Sequence, residues 1–181
     1  AVDRLIGDLF RSLLVAFGFI FIVLIWALGS FRSALVAMVP NVFPLLLTLG
    51  LMGTLGLDLQ VATVIVFSVA LGLAVDDTIH FMIRFREEWA VESVEDADER
   101  YARCIERTLR GTGQAIFATS LLLAVGYSVL LLSNFPITQR FGVGMLMTVS
   151  AALIGDLLVL PACLSVFKPF AKTSSSRPEG R

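Results

Sequence analysis

Charge is scarce in this chain of 181 residues: Asp, Glu, Lys and Arg together make up 16%. A soluble domain carries about a quarter. The shortage excludes a disordered chain and a nucleic-acid binder with a basic patch, so no nucleic acid is expected as a partner. Cysteine is nearly missing. Cys104 and Cys163 lie far apart without C-x-x-C spacing, which argues against a disulfide framework or a zinc site and leaves two free thiols. There is one histidine, His80. No Walker loop, no H-E-x-x-H and no nucleophile elbow occurs, so no catalytic residue, metal or cofactor is expected and the chain reads as a non-enzyme. It opens at Ala1-Val2-Asp3-Arg4 with neither a methionine nor a signal peptide. The expectation is a fragment whose N-terminal part is missing.

What is abundant is apolar surface. Hydrophobic residues reach 57% and mean hydropathy is +0.87. A spanning helix needs about 20 mostly apolar residues. Five stretches qualify: 12–28, 34–55 (interrupted by Pro40 and Pro44), 61–83, 114–132 and 141–167. The expected fold is all-α, a polytopic membrane protein with a bundle of five transmembrane helices plus a short cytoplasmic amphipathic helix. Residues 1–11 read as a junction, 12–168 as the membrane domain and 169–181 as a disordered tail. The short link at residues 56–60 makes the second and third spans an antiparallel pair.

Basic residues orient such a bundle. Alternating the spans puts Arg32, Arg84, Arg86, Arg100, Arg103, Arg107, Arg110, Lys168, Lys172, Arg177 and Arg181 on one side, and Arg4, Arg11 and Arg140 on the other. The richer side is predicted cytoplasmic, with the N-terminal end outside and the C-terminus inside. The segment 89–111 is expected as the amphipathic helix, because Val94, Ala97, Tyr101, Ile105 and Thr108 recur at three- and four-residue steps. Asp96/Arg100, Glu99/Arg103 and Glu106/Arg110 have the spacing of helical ion pairs. Its simplest role is a connector.

Three acids fall inside predicted spans: Asp76, Asp77 and Asp156. A charge near the bilayer centre costs about 3 kcal/mol on insertion scales, so such groups face protein or water and suggest function. Ser68, Gly72, Asp76 and His80 follow one another at four-residue steps, a small and polar stripe along the third helix where another helix could pack closely. Asp76 and Asp156 are each expected about 24 Å below the outer boundary of their spans. Asn41, Thr119 and Ser120 enter the same layer from spans running the other way. The functional reading is a buried proton-binding site, with Asp76, Asp77, Asp156 and His80 as relay and Asn41, Thr119 and Ser120 in support. For Ser and Thr, plain interhelical hydrogen bonding explains as much. Asn41 could instead serve carbonyls freed by Pro40 and Pro44. The pairs Gly142/Gly144 and Gly111/Gly113 fit helix ends and packing better than phosphate binding.

The run Gly72-Leu73-Ala74-Val75-Asp76-Asp77-Thr78-Ile79-His80-Phe81, followed by Arg84-Phe85-Arg86-Glu87-Glu88, resembles a signature of the resistance–nodulation–division superfamily. The nearest branch is the exporters of lipids and other hydrophobic molecules related to the mycobacterial large membrane proteins. Pro40-Asn41-Val42-Phe43-Pro44, Ala118-Thr119-Ser120 and Asp156-Leu157-Leu158-Val159-Leu160-Pro161 strengthen the likeness. Asp77 stands where that family usually has tyrosine, and no lysine lies in the middle of the third span. The resemblance implies a C-terminal five-span set of a larger bacterial inner-membrane protein. It implies proton-driven export, with Asp76 in the relay role and Asp77 beside it. The implied partners are the lipid bilayer, the N-terminal half and porter domain of the parent, and a hydrophobic or lipid substrate. Assembly into a homo-oligomer is compatible with it.

Three other readings stay open on sequence grounds. A protein-translocation accessory subunit of the same superfamily shares the five spans and proton use. A sterol-sensing-type lipid-binding regulatory domain shares the fold, although three buried acids favour proton coupling. An intramembrane aspartyl protease would use acids on two spans, but its signature motifs are missing here.

Overall fold

Hydrocarbon offers the backbone no hydrogen-bond partner, so a spanning segment must satisfy its own N–H and C=O groups, as a helix does. The computed structural model describes residues 2–54 and 61–170, which are helical almost throughout. The link at 56–60 and the tail beyond Phe170 lie outside them. Among the described residues, five helices are long and apolar enough to cross a membrane. They are α1 (Val2–Leu28), α2 (Phe31–Thr54), α3 (Val61–Val91), the run from α4 (Ala97–Thr108) through α5 (Gln114–Ser128), and the run from α6 (Pro136–Ile154) through α7 (Leu160–Phe167).

Local chemistry sets the breaks. Gly29 ends α1 with φ +63°, a left-handed conformation in which glycine carries no side-chain penalty. Ser30 then starts α2, its hydroxyl accepting from the Ser33 N–H at 3.5 Å. The expected interruption at Pro40 and Pro44 does not occur: α2 runs unbroken through both. Asn41 does not serve a carbonyl freed by either proline, since its Nδ2 donates to the Ala37 carbonyl at 2.7 Å. Pro44 has no N–H for the Pro40 carbonyl. That carbonyl faces the last span instead, where a Cβ on Gly155 would stand 3.0 Å from it. The last span is not a regular helix there. A π turn, Gly155–Val159, sits just ahead of Pro161, which cannot donate within the helix.

The amphipathic segment differs from expectation at both ends. α3 is 31 residues long, about 46 Å, so it outruns the hydrocarbon core and carries Arg84 to Val91 past it. The chain breaks at residues 92–96, and Asp96 caps α4 by accepting from the Asp98 N–H. α4 then continues through a π turn at Leu109–Gly113 into α5 without another break. It turns Tyr101, Cys104 and Thr108 inward. Val94 lies in the link and Ala97 is exposed, so neither belongs to that apolar face. The pairs Arg103–Glu99 at 2.5 Å and Arg110–Glu106 at 2.7 Å form as spaced. Asp96/Arg100 does not, because Arg100 reaches back to the Trp89 carbonyl at 2.6 Å.

The largest packed cluster lies at this basic end and joins all five spans to α4. Phe85, Trp89, Tyr101 and Phe170 stack within it, with Trp89 and Tyr101 centroids 4.4 Å apart. Phe170, placed by sequence in the tail, is buried, and its N–H donates to the Tyr101 hydroxyl at 2.7 Å. Lys168 pairs with Asp98 beside it. Glycines tighten the opposite half. A Cβ on Gly142 would meet Leu130 at 2.9 Å and one on Gly144 would meet Val66 at 3.1 Å, which is the packing role expected for that pair.

Candidate functional site

α3 carries polar groups on two faces. Thr78 continues the buried face that includes Phe67, Leu71, Ala74 and Phe85, spaced three and four residues apart. It is fully buried and donates its hydroxyl to Asp156 Oδ1 at 2.8 Å. Asp156 is 1% exposed and lies in the π turn of the last span. Its Oδ2 has no hydrogen-bond partner among the described residues, and neither does Asn41 Oδ1. Each residue is next in sequence to one end of the close Gly155–Pro40 approach. Thr78 is the site residue that sequence reasoning missed. The available signal was its register with the apolar face of α3.

The other face points out of the bundle. Asp76 and His80 approach to 3.5 Å, with their side chains 74% and 68% exposed. Ser68 and Gly72 continue that face and are exposed too. Among the described residues, nothing lies within 4 Å of a Cβ built on Gly72. The expected close-packing stripe is real as a line of residues, but no helix of the described chain covers it.

Asp76, Asp77, His80 and Thr119 line one groove of about 690 Å³ between α3 and the start of the fourth span, with Arg84 and Glu87 at its end. Asp77 is half-buried at its wall. The Thr119 hydroxyl donates within its own helix, to the Ala115 carbonyl at 3.1 Å and the Ile116 carbonyl at 3.0 Å. Ser120 is buried elsewhere and does not line the groove. Asn41 and Asp156 do not line it either. The polar groups expected at one level therefore divide between two faces of α3. One face borders a groove open on the outside, and the other a buried carboxyl–hydroxyl contact. Among the described residues no cluster of His, Cys, Asp or Glu could hold a metal ion.

A short network of ion pairs lies at the basic end of the groove. Arg84 pairs with Glu88 at 2.6 Å and Glu87 at 3.2 Å, and Arg107 with Glu92 at 2.9 Å. The arginines are half-exposed, whereas the Glu88 and Glu92 carboxylates are largely covered. The pairs balance charge along the rim.

Comparison with known proteins places these features in a family context. The sequence pattern of the MMPL family matches residues 3–180. MJ1562 of Methanocaldococcus jannaschii, named as a membrane protein, is 30% identical over 147 residues, 81% of this chain and 36% of that protein. SCO6666 of Streptomyces coelicolor, also named as a membrane protein, is 29% identical over 121 residues, 67% of this chain and 16% of its own length. The probable transport protein MmpL11 of Mycobacterium leprae is 26% identical over 153 residues, 82% of this chain and 14% of its own. The chain thus spans about a third or less of the relatives it matches.

Proposed function

The chain belongs to the MMPL family, and from that membership we propose that it is the membrane part of a proton-driven exporter of hydrophobic or lipid-like molecules. It is a multi-pass membrane protein related to transporters. In this reading Asp76 takes up and releases the proton, Asp77 and His80 shape its path, and Thr119 lines it. Asp156, held by Thr78, is the inner acid that responds to that charge. The basic end faces the bacterial cytoplasm, and the N-terminal end faces outward.

The observation that carries the proposal is the exposure of Asp76 and His80 on the outer face of a spanning helix. Lipid cannot cover a carboxylate and an imidazole at that depth without several kcal/mol of cost. Water or other polypeptide must therefore meet them. A groove that joins Asp76, Asp77 and His80 and opens toward the charged rim supports water and proton access. The small residues Ser68 and Gly72 on the same face support close approach by a helix from the rest of a longer parent. The transport name of the Mycobacterium leprae relative favours an exporter over a sensor.

The test uses the full-length parent in proteoliposomes with trapped pyranine under an imposed pH gradient. Asp76→Asn should cut proton flux by about tenfold or more while the protein stays inserted. Wild-type flux from the inserted variant would defeat the assignment.

A further inference from the structure

A second cavity lies at the basic end, away from the aspartates. It holds about 550 Å³ among the end of α1, the start of α2, the end of α3, α4 and Phe170. Two arginines, Arg86 and Arg100, line it, and no carboxylate does. Neither arginine has a carboxylate within ion-pair distance among the described residues, whereas Arg84, Arg103, Arg107 and Arg110 all do. Arg86 spends one donor on the Leu28 carbonyl at 3.5 Å. Arg100 lies 4.1 Å over the Trp89 ring and donates to the Trp89 carbonyl.

Two buried groups in this cavity lack partners. Ser33 lines it and is fully buried, and its hydroxyl has no hydrogen-bond partner among the described residues. Arg100 Nε is buried without an acceptor. Leaving such donors unmet is costly, so the cavity calls for an acceptor-rich occupant. The first turn of the 24-residue α2 also opens here with no acid in it, adding the positive end of the helix dipole. Arg86, Arg100 and Ser33 thus line one cavity in which no carboxylate of the described chain answers them.

The surroundings select the kind of anion. An apolar groove of about 510 Å³ runs along α2, lined by Val36, Val39, Val42, Phe43 and Phe167 and by no polar surface. It begins one turn along α2 from Ser33. Trp26 and Phe31, either side of the α1–α2 turn, are 85% and 62% exposed. A charged head above an apolar slot is the shape of a membrane lipid, and basic pockets between helices at a membrane boundary suit anionic headgroups. We infer that this cavity binds the phosphate of an anionic phospholipid, whose acyl chains lie along the apolar groove of α2. Arg86, Arg100 and Ser33 hold the phosphate oxygens. The inference does not depend on any role for Asp76.

The test follows Trp89, which lines the cavity and is one of two tryptophans. The whole chain carrying Trp26→Phe is titrated in dodecyl maltoside with dioctanoyl phosphatidylglycerol, dioctanoyl phosphatidylcholine or inorganic phosphate. Phosphatidylglycerol should change Trp89 fluorescence saturably, with a Kd about tenfold or more below that of phosphatidylcholine. Arg86→Gln should weaken it by about tenfold and Ser33→Ala by about threefold, while Arg32→Gln, outside the cavity, should change it less than about twofold. Ser33→Ala removes no side-chain hydrogen bond made among the described residues, so it reports on binding even if Arg86→Gln folds poorly. Equal affinity for the two lipids, or equal effects of Arg86→Gln and Arg32→Gln, would overturn the anion site. Phosphate binding as tightly as phosphatidylglycerol would overturn the lipid as occupant.

Discussion

Asp76 and Asp156 stand at almost the same height in the bundle, since Asp156 bonds to Thr78, about 3 Å further along α3. Their surroundings are opposite. Asp156 is enclosed, touches a hydroxyl from a neighbouring span, and sits at a π turn where two helices nearly touch. Asp76 lies on an uncovered face beside His80. The first acid belongs to the architecture of this chain, because its partner is built in. The second has only its own helix neighbour in the described chain, so whatever completes its surroundings comes from outside. One spanning helix can thus serve two purposes by keeping its internal contacts on one side and presenting the other.

The difference can be broken most strongly at the glycines. Gly155→Val should destabilise the chain by about 3 kcal/mol, because its Cβ would press on the backbone oxygen of Pro40. Gly72→Val, on the open face, should cost no more than about 0.5 kcal/mol in the same chain. Reversible unfolding in mixed micelles measures both, and similar costs would erase the distinction between the faces. The polar groups come next. Thr78→Val removes the only side-chain hydrogen bond to Asp156 among the described residues, at a cost of about 2 kcal/mol. Asp76→Asn should stay within about 0.5 kcal/mol by the same measurement, its consequence appearing in proton flux instead. A large loss of stability from Asp76→Asn would mean that the open face is structural after all. The smallest effect extends the comparison to the basic end. Tyr101→Phe removes the contact with the Phe170 N–H and should cost about 1 kcal/mol, read as a lowered unfolding midpoint.

Much of this was legible beforehand. Long apolar runs marked all five spans, and the boundaries near Leu28 and Phe167 agree with the helices. The ion pairs of Arg103 and Arg110 followed from spacing because both lie on the exposed side of a helix, where only neighbours compete for them. Arg100 escaped the same rule because the end of α3 passes beside it and offers a carbonyl and an aromatic face. The start of α4 was misplaced because residues 89–91 still belong to α3, and a helix projecting out of the membrane keeps its pattern past the apolar run. Phe170 looked like tail because a single aromatic near a terminus carries no periodic signal. Its burial depends on Tyr101, 69 residues away.

The candidate site divides in the same way. The intramembrane acids and their register with Gly72 and His80 were plain in the sequence, since a charge within an apolar run needs no structure to be noticed. Their separation into an inner and an outer group was not. Sequence alone determined that this chain crosses the membrane in helices, because continuous apolar runs of about 20 residues fit the length of a spanning helix and not of a barrel strand. It also determined which residues are too polar to face lipid. Only the tertiary structure decided which side of α3 turns inward. That helix carries polar groups on two faces, so its own pattern does not set its rotation. The close contact of Gly144 with Val66 on α3, together with the Thr78–Asp156 hydrogen bond, sets it instead.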